Sequence, residues 1–234
     1  MLSEILRNIF LNHDLSEIPM KLNIENYMIF VFEPLPELKK QEYYVIIESM
    51  EQSEEATNFI FDELSDLLFE KIRISDNIES YFVKNCTLII CCEKSKTSNK
   101  LILSIEEDPY NFKKNIITYT KGEITSLNET INKTDSTLKL TNEQINNILN
   151  GESGNLFRSF KEKSSNINSY YSLLLKIVSK VPFATYQPAK KSLHDLDGDI
   201  EKELTKEQQI LYLKALDIDL NASDKEIEDL ILNL

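Results

Sequence analysis

The sequence predicts an α+β protein: a mostly antiparallel sheet with helices on one face, followed by a helical C-terminal region. Strand-like apolar runs alternate with helix-like segments over the first 120 residues. Beyond residue 140, apolar residues recur three and four apart, which is typical of amphipathic helices. We therefore expect an α+β domain over 1–120, a polar connector over 121–140 and a helical assembly region over 141–234.

The first fifty residues predict one helix and two strands. Residues 3–12 have a helical apolar stripe, with Ser3 as the cap. "YMIFVFEPL" (27–35) and "EYYVIIES" (42–49) are buried-strand runs, and the charged segment between them suits a hairpin loop. Ser53 then caps the clearest helix of the chain.

The next segment predicts the rest of the sheet. "CTLIICCE" (86–93) and "KLILSIEED" (100–108) flank a polar turn, so they predict an antiparallel hairpin. "NIITYT" (115–120) adds a further strand. These pairings make the predicted sheet mostly antiparallel.

The second half of the chain predicts helices. Residues 121–140 are polar and weakly periodic, which indicates a loop or a poorly anchored arm. A longer helical segment ends at Pro182, and two short helices near 206–216 and 223–233 form a predicted helical hairpin. Capping boxes start three helices: Thr141 with Gln144, Thr205 with Gln208, and Ser223 with Glu226.

Charge and hydropathy exclude several classes of function. The net charge of -13 repels phosphate backbones, so we expect only indirect or weak contact with DNA. Apolar runs fall well short of the roughly 20 residues that a bilayer span needs, and no signal peptide is evident. We expect a cytoplasmic protein that does not contact a membrane.

The three cysteines predict structural thiols. Their number is odd, and Cys91 and Cys92 are adjacent on one strand, so their side chains point to opposite faces. Apolar surroundings raise the pKa of a thiol, which makes it inert.

Acidic strand ends provide the one alternative with catalytic chemistry. Glu93, Glu106, Glu107 and Asp108 are candidates for a metal-dependent nuclease or hydrolase. However, Glu93 and Lys94 are adjacent, whereas the Glu-x-Lys pattern of such nucleases needs one residue between them. An acidic loop, 195–206, starts like a calcium-binding loop but has Ile200 and Lys206 where that loop needs Gly and Glu.

Other catalytic signatures are absent from the sequence. It has no phosphate-binding loop, no nucleophile elbow and no zinc-protease motif, and it has only 2 histidines. We therefore predict a protein that is not an enzyme, with no catalytic residues, metal site or cofactor.

Two groups of residues are candidates for binding a partner. Tyr110, Phe112, Lys113 and Lys114 place aromatic side chains beside lysines in an acidic chain. The alternative is that both aromatics plug the sheet edge while the lysines stay in water. The C-terminal helices carry more apolar surface than they can bury on each other; the candidates there are Ile210, Leu213, Ile227, Leu230 and Ile231.

Residues 27–35 and 87–120 resemble the middle component of bacterial ABC-three-component defence systems, the group that includes Lamassu-type anti-phage and anti-plasmid systems. In that family a strand ending in acids is followed by an aromatic, a basic pair and a short apolar run closing on Tyr-Thr. Residues 105–120, "IEEDPYNFKKNIITYT", carry most of the resemblance.

The resemblance implies a non-enzymatic adaptor that bridges an SMC-like ATPase and an effector, often a nuclease, and helps to hold the effector inactive. A third hypothesis, an inhibitor that mimics DNA through its acidity, is disfavoured because the acids are scattered evenly along the chain.

Overall fold

The computed structural model describes residues 1–134, 140–151, 155–162, 169–187 and 202–216. Residues 1–189 form one compact unit and residues 190–234 form a second. The first unit contains the sheet.

Five strands form one sheet in the order β1-β2-β3-β4-β5. They are β1 (Leu15–Glu17), β2 (Tyr27–Pro34), β3 (Tyr43–Ser49), β4 (Cys86–Glu93) and β5 (Lys113–Tyr119). β2 pairs antiparallel with both β1 and β3, so the hairpin between β2 and β3 is confirmed. β3–β4 and β4–β5 are parallel pairs. The α+β class is confirmed, but the sheet is mixed rather than mostly antiparallel.

Helices precede, connect and follow the strands. In the described residues they are α1 (Leu2–Leu11), α2 (Glu54–Phe59), α3 (Ser65–Arg73), α4 (Asn99–Glu106), α5 (Lys121–Thr134), α6 (Asn142–Leu149), α7 (Asn155–Glu162), α8 (Tyr170–Lys180) and α9 (Lys206–Leu216). A π-helical turn, Ile60–Leu64, joins α2 to α3. None of these helices combines the length and the apolar character that a membrane crossing requires.

Helix α4 explains why β4 and β5 are parallel rather than antiparallel. The segment predicted as the second strand of a hairpin is a helix, because the Ser98 hydroxyl accepts the Leu101 backbone N–H at 3.2 Å and caps its start. Leu101, Ile102 and Ile105 share one helical face and pack against the sheet. A helix between β4 and β5 lets the chain cross over, so that β5 runs parallel to β4.

Helices cover both faces of the sheet, whereas the sequence predicts helices on one face. Alternate strand residues enter two separate cores. One face, here called the α1 face, packs against α1, α5, α6 and α8 through Phe32, Tyr44, Ile46, Ile89, Cys91, Ile117 and Tyr119. The other, the α3 face, packs against α3 and α4 through Val31, Tyr43, Val45, Ile47, Leu88, Ile90, Cys92 and Ile116.

Much of the predicted polar connector is helical. Residues 121–134 form α5, whose Leu127 and Ile131 are buried in the α1-face core. Polar residues dominate this segment and therefore predict a loop, but Leu127, Ile131 and the partly buried Ile124 attach the helix to the sheet. α6 and α8 pack into the same core.

Helix starts follow the predicted caps in most cases. The capping boxes at Thr141 and Thr205 are confirmed by reciprocal hydrogen bonds with Gln144 and Gln208. α1 begins at Leu2, so Ser3 lies inside the helix rather than capping it. The predicted helix near 223–233 lies outside the described residues.

Candidate interaction surface

Tyr110 and Phe112, the two aromatic candidates for binding a partner, have different environments. Tyr110 is 73% exposed, whereas Phe112 is 1% exposed. The Phe112 ring packs edge-on against Phe69 and Phe82, with centroid distances of 5.2 and 6.0 Å. Phe112 is therefore a core residue on the α3 face, and only Tyr110 presents its ring to solvent.

The adjacent lysines differ in the same way. Lys113 is exposed, but Lys114 is buried, with an exposed fraction of 5%. Lys114 Nζ donates to Asp108 Oδ2 at 2.7 Å and to the Tyr110 carbonyl oxygen at 2.6 Å. The hydrogen bond from Lys114 lowers the pKa of Asp108. Lys114 thus holds the loop 108–112 in place and cannot contact a partner.

Three of the four acidic residues of the nuclease hypothesis are engaged within the fold, and the fourth, Glu107, is exposed. Glu106 ends α4, where its carboxylate accepts the Ile116 backbone N–H at 2.8 Å and binds Lys180 Nζ at 2.7 Å. Glu93 accepts the Ser95 hydroxyl at 3.0 Å. In the described part of the chain, no three His, Cys, Asp or Glu side chains are grouped as metal ligands would be. The acidic residues 195–201 lie outside the described residues.

The three thiols are buried, as the sequence predicts for Cys91 and Cys92. Cys91 faces the α1-face core and Cys92 faces the α3-face core. Burial raises the pKa of Cys86 and of Cys92 to about 12, and raises that of Cys91 well above its ordinary value. Thiols in this state are poor nucleophiles.

A buried carboxylate that sequence reasoning missed lies on the central strand. Glu48 has no exposed surface. Its Oε2 accepts the Ser3 backbone N–H at 2.7 Å, and its Oε1 accepts the Tyr119 hydroxyl. Burial first, and then hydrogen bonding to Glu48, raises the pKa of Tyr119. Because Glu48 joins α1, β3 and β5, its role is to fix their packing.

A groove lies at the amino ends of the three parallel strands, and the predicted antiparallel pairing gave no reason to expect it. Its volume is about 660 Å³. Lys40 precedes β3, Lys84 precedes β4 and Lys113 begins β5, and all three line the groove and are exposed. Tyr44 and Phe183 form an aromatic part of its wall, with a centroid distance of 5.4 Å.

The remaining predicted partner residues belong to the C-terminal helices. On α9, Ile210 and Leu213 are 57% and 53% exposed. Ile227, Leu230 and Ile231 lie outside the described residues. Ile210 and Leu213 thus present apolar surface to solvent.

A protein-family model matches the segment that begins just before β3 and ends with α6. Residues 42–149 match the family described as "ABC-three component (ABC-3C) system Middle Component 1". The match covers just under half of the chain and contains residues 105–120, which carry the resemblance seen in the sequence. No curated protein and no solved structure matches the chain.

The Middle Component 1 region contains all three parallel strands and the helices that connect them. It includes Lys84 and Lys113 of the groove and the buried Glu48. α1, β1 and β2 lie before it, and α7, α8 and α9 lie after it. The match agrees with the resemblance at the level of an ABC-3C middle component. A Lamassu-type system remains a prediction.

Proposed function

We propose that this chain is a non-enzymatic adaptor subunit of a bacterial ABC-3C defence complex, in which it bridges an SMC-like ATPase and an effector subunit, such as a nuclease. The observation that carries the proposal is the match of residues 42–149 to Middle Component 1. The Lamassu-type character of the system, the anti-phage role and the cytoplasmic location are parts of the same proposal.

The contacts of the ionisable residues support a non-enzymatic role. Glu106 and Asp108 are each paired with a lysine, at 2.7 Å in both cases. The carboxylate of Glu48 is enclosed and bound by Ser3 and Tyr119. These groups are committed to holding helices and strands together, which argues against their use on a substrate.

Two exposed apolar side chains on α9 provide a candidate contact for another subunit. Ile210 and Leu213 expose more than half of their surface on one helix. Large exposed apolar side chains are common at protein interfaces, where their burial contributes to affinity. The proposal assigns α9 to contact with another subunit.

The test is co-expression of the chain with the ATPase and the effector of its system, followed by affinity purification through a tag on the chain. We expect both components to co-purify. The double variant Ile210→Asp/Leu213→Asp should lose one of them. The matched control is Met50→Asp/Leu103→Asp, because Met50 and Leu103 are 61% and 58% exposed elsewhere.

Two results would overturn the proposal. One is recovery of the tagged chain without either component. The other is cleavage of nucleic acid by the purified chain in Mg²⁺ or Mn²⁺, which would support the nuclease alternative and should then be lost in Glu107→Ala, a substitution at an exposed position.

A further inference from the structure

Among the described residues, the three lysines of the groove have no acidic partner, in contrast to three lysines on β5 and α8. Lys114, Lys176 and Lys180 each form an ion pair, with Asp108, Glu123 and Glu106 respectively. In the described part of the chain, Lys40, Lys84 and Lys113 form none. The groove thus gathers three unpaired cations on one surface of a chain with 39 acidic and 26 basic residues.

The parallel pairing brings these lysines together. Tyr43 of β3 lies opposite Cys86 of β4, and Thr87 of β4 lies opposite Lys113 of β5. Neighbouring strands are about 4.8 Å apart, so the starts of β3 and β5 are separated by about 10 Å. The starts of adjacent strands lie within the Debye length of about 8 Å at physiological salt, so the positive potentials of lysines on adjacent strands overlap in the groove.

The lining combines these charges with amide and aromatic groups. Gln41 and Asn85 contribute exposed amide side chains, and Phe183 contributes an apolar surface. The one carboxylate of the lining, Glu42, accepts the hydroxyl of Tyr44. The groove thus has three positive charges and one negative charge, with hydrogen-bond donors beside an apolar wall.

We propose that this groove binds a short acidic peptide segment of another subunit, an inference that rests on the proposed adaptor function. Carboxylates would pair with Lys40, Lys84 and Lys113, and an apolar side chain would pack on Phe183. Nucleic acid fits less well, because a strand extending beyond the groove meets the field of a chain whose net charge is -13. A short peptide stays within the field of the lysines.

The direct test is binding of a fluorescent hexaglutamate peptide, measured by anisotropy at low and physiological salt. We expect binding that weakens with salt, and no binding of hexaglutamine. The variant Lys40→Glu/Lys84→Glu/Lys113→Glu should bind about tenfold more weakly or worse. The matched control is Lys94→Glu/Lys100→Glu/Lys121→Glu: these lysines are exposed near the opposite ends of the strands, and the net charge changes equally.

The control variant should retain wild-type affinity within about twofold. Equal losses in both variants would overturn the inference, since the binding would then reflect net charge alone. So would binding of a dT12 oligonucleotide as tight as that of hexaglutamate. Circular dichroism of each variant verifies folding, and Lys84→Gln/Lys113→Gln gives a milder version of the same comparison.

Co-purification distinguishes a failure of this inference from a failure of the proposed function. If the wild-type chain and the control variant assemble with their subunits but the groove variant does not, both stand. If the groove variant assembles as well as the wild type, the groove inference is wrong and the adaptor function stands. If the wild-type chain does not assemble, the adaptor function fails, and with it the assignment of the peptide to another subunit.

Discussion

Lys180 Nζ lies 2.7 Å from both carboxylate oxygens of Glu106. Glu106 belongs to α4 on the α3 face, and Lys180 belongs to α8 on the α1 face, so the pair joins the two helical layers around the edge of β5. Glu106 also accepts the outward N–H of Ile116, while Lys176 Nζ donates to the Thr118 carbonyl at 3.0 Å. Charged side chains therefore occupy the exposed edge of β5, which prevents pairing with another strand.

Removal of the Glu106 carboxylate should destabilise the fold. Glu106→Ala leaves the Ile116 N–H and Lys180 without their acceptor, and we expect the free energy of unfolding to fall by about 1–3 kcal/mol. Urea denaturation measures the change. Glu107→Ala is the control, because Glu107 is exposed, and it should change stability by less than about 0.5 kcal/mol. Equal effects of the two substitutions would contradict the structural role of Glu106.

Alanine substitutions of Tyr110 and Phe112 should differ in their effect on the free energy of unfolding. Phe112→Ala removes a ring packed between Phe69 and Phe82, so we expect a loss of about 3–5 kcal/mol. Tyr110→Ala removes a ring that is 73% exposed and should change the free energy of unfolding by less than about 0.5 kcal/mol. Thermal and urea unfolding of both variants make the comparison. A neutral Phe112→Ala would show that residue 112 is not in the core.

The pair Asp108–Lys114 should make stability depend on acid pH. Because the pKa of Asp108 is lower in the folded state, its contribution is fully present above the unfolded value of about 3.9. The contribution is lost as pH falls from that value through the folded pKa. We expect Asp108→Asn to reduce the loss of Tm between pH 5 and pH 3. An unchanged pH profile would show that Asp108 does not contribute to acid sensitivity.

The thiols should be unreactive in the folded protein. Cys86, Cys91 and Cys92 are buried, and their pKa values are raised. We expect a disulfide-exchange reagent at pH 8 to modify none of them within minutes, and all of them after denaturation. Rapid modification of any cysteine in the native protein would indicate an accessible thiolate.

The sequence predicts four of the five strands of the sheet. The runs 27–35, 42–49, 86–93 and 115–120 are strands, because continuous β-branched and aromatic residues suit strands that are buried on both faces. The run 100–108 was predicted wrongly, since a short apolar run is compatible with a strand or a helix. The cap at Ser98 was the local signal for the helix.

The candidate surfaces depended more on tertiary structure. The groove requires β3, β4 and β5 to be parallel, so the wrong assignment of α4 concealed it. Glu48 is the one charged residue within β3, but only packing shows that α1 and Tyr119 bind its carboxylate. The different burial of Tyr110 and Phe112 follows from the loop, where Asn111 adopts a positive φ of 62°.

We propose that this chain joins two other subunits. Affinity purification of the SMC-like ATPase from cells that also express the effector, with and without this chain, measures the bridging directly. We expect the effector to co-purify with the ATPase when the chain is present and to be lost when it is omitted. Equal recovery of the effector without the chain would show that the chain does not join the two subunits.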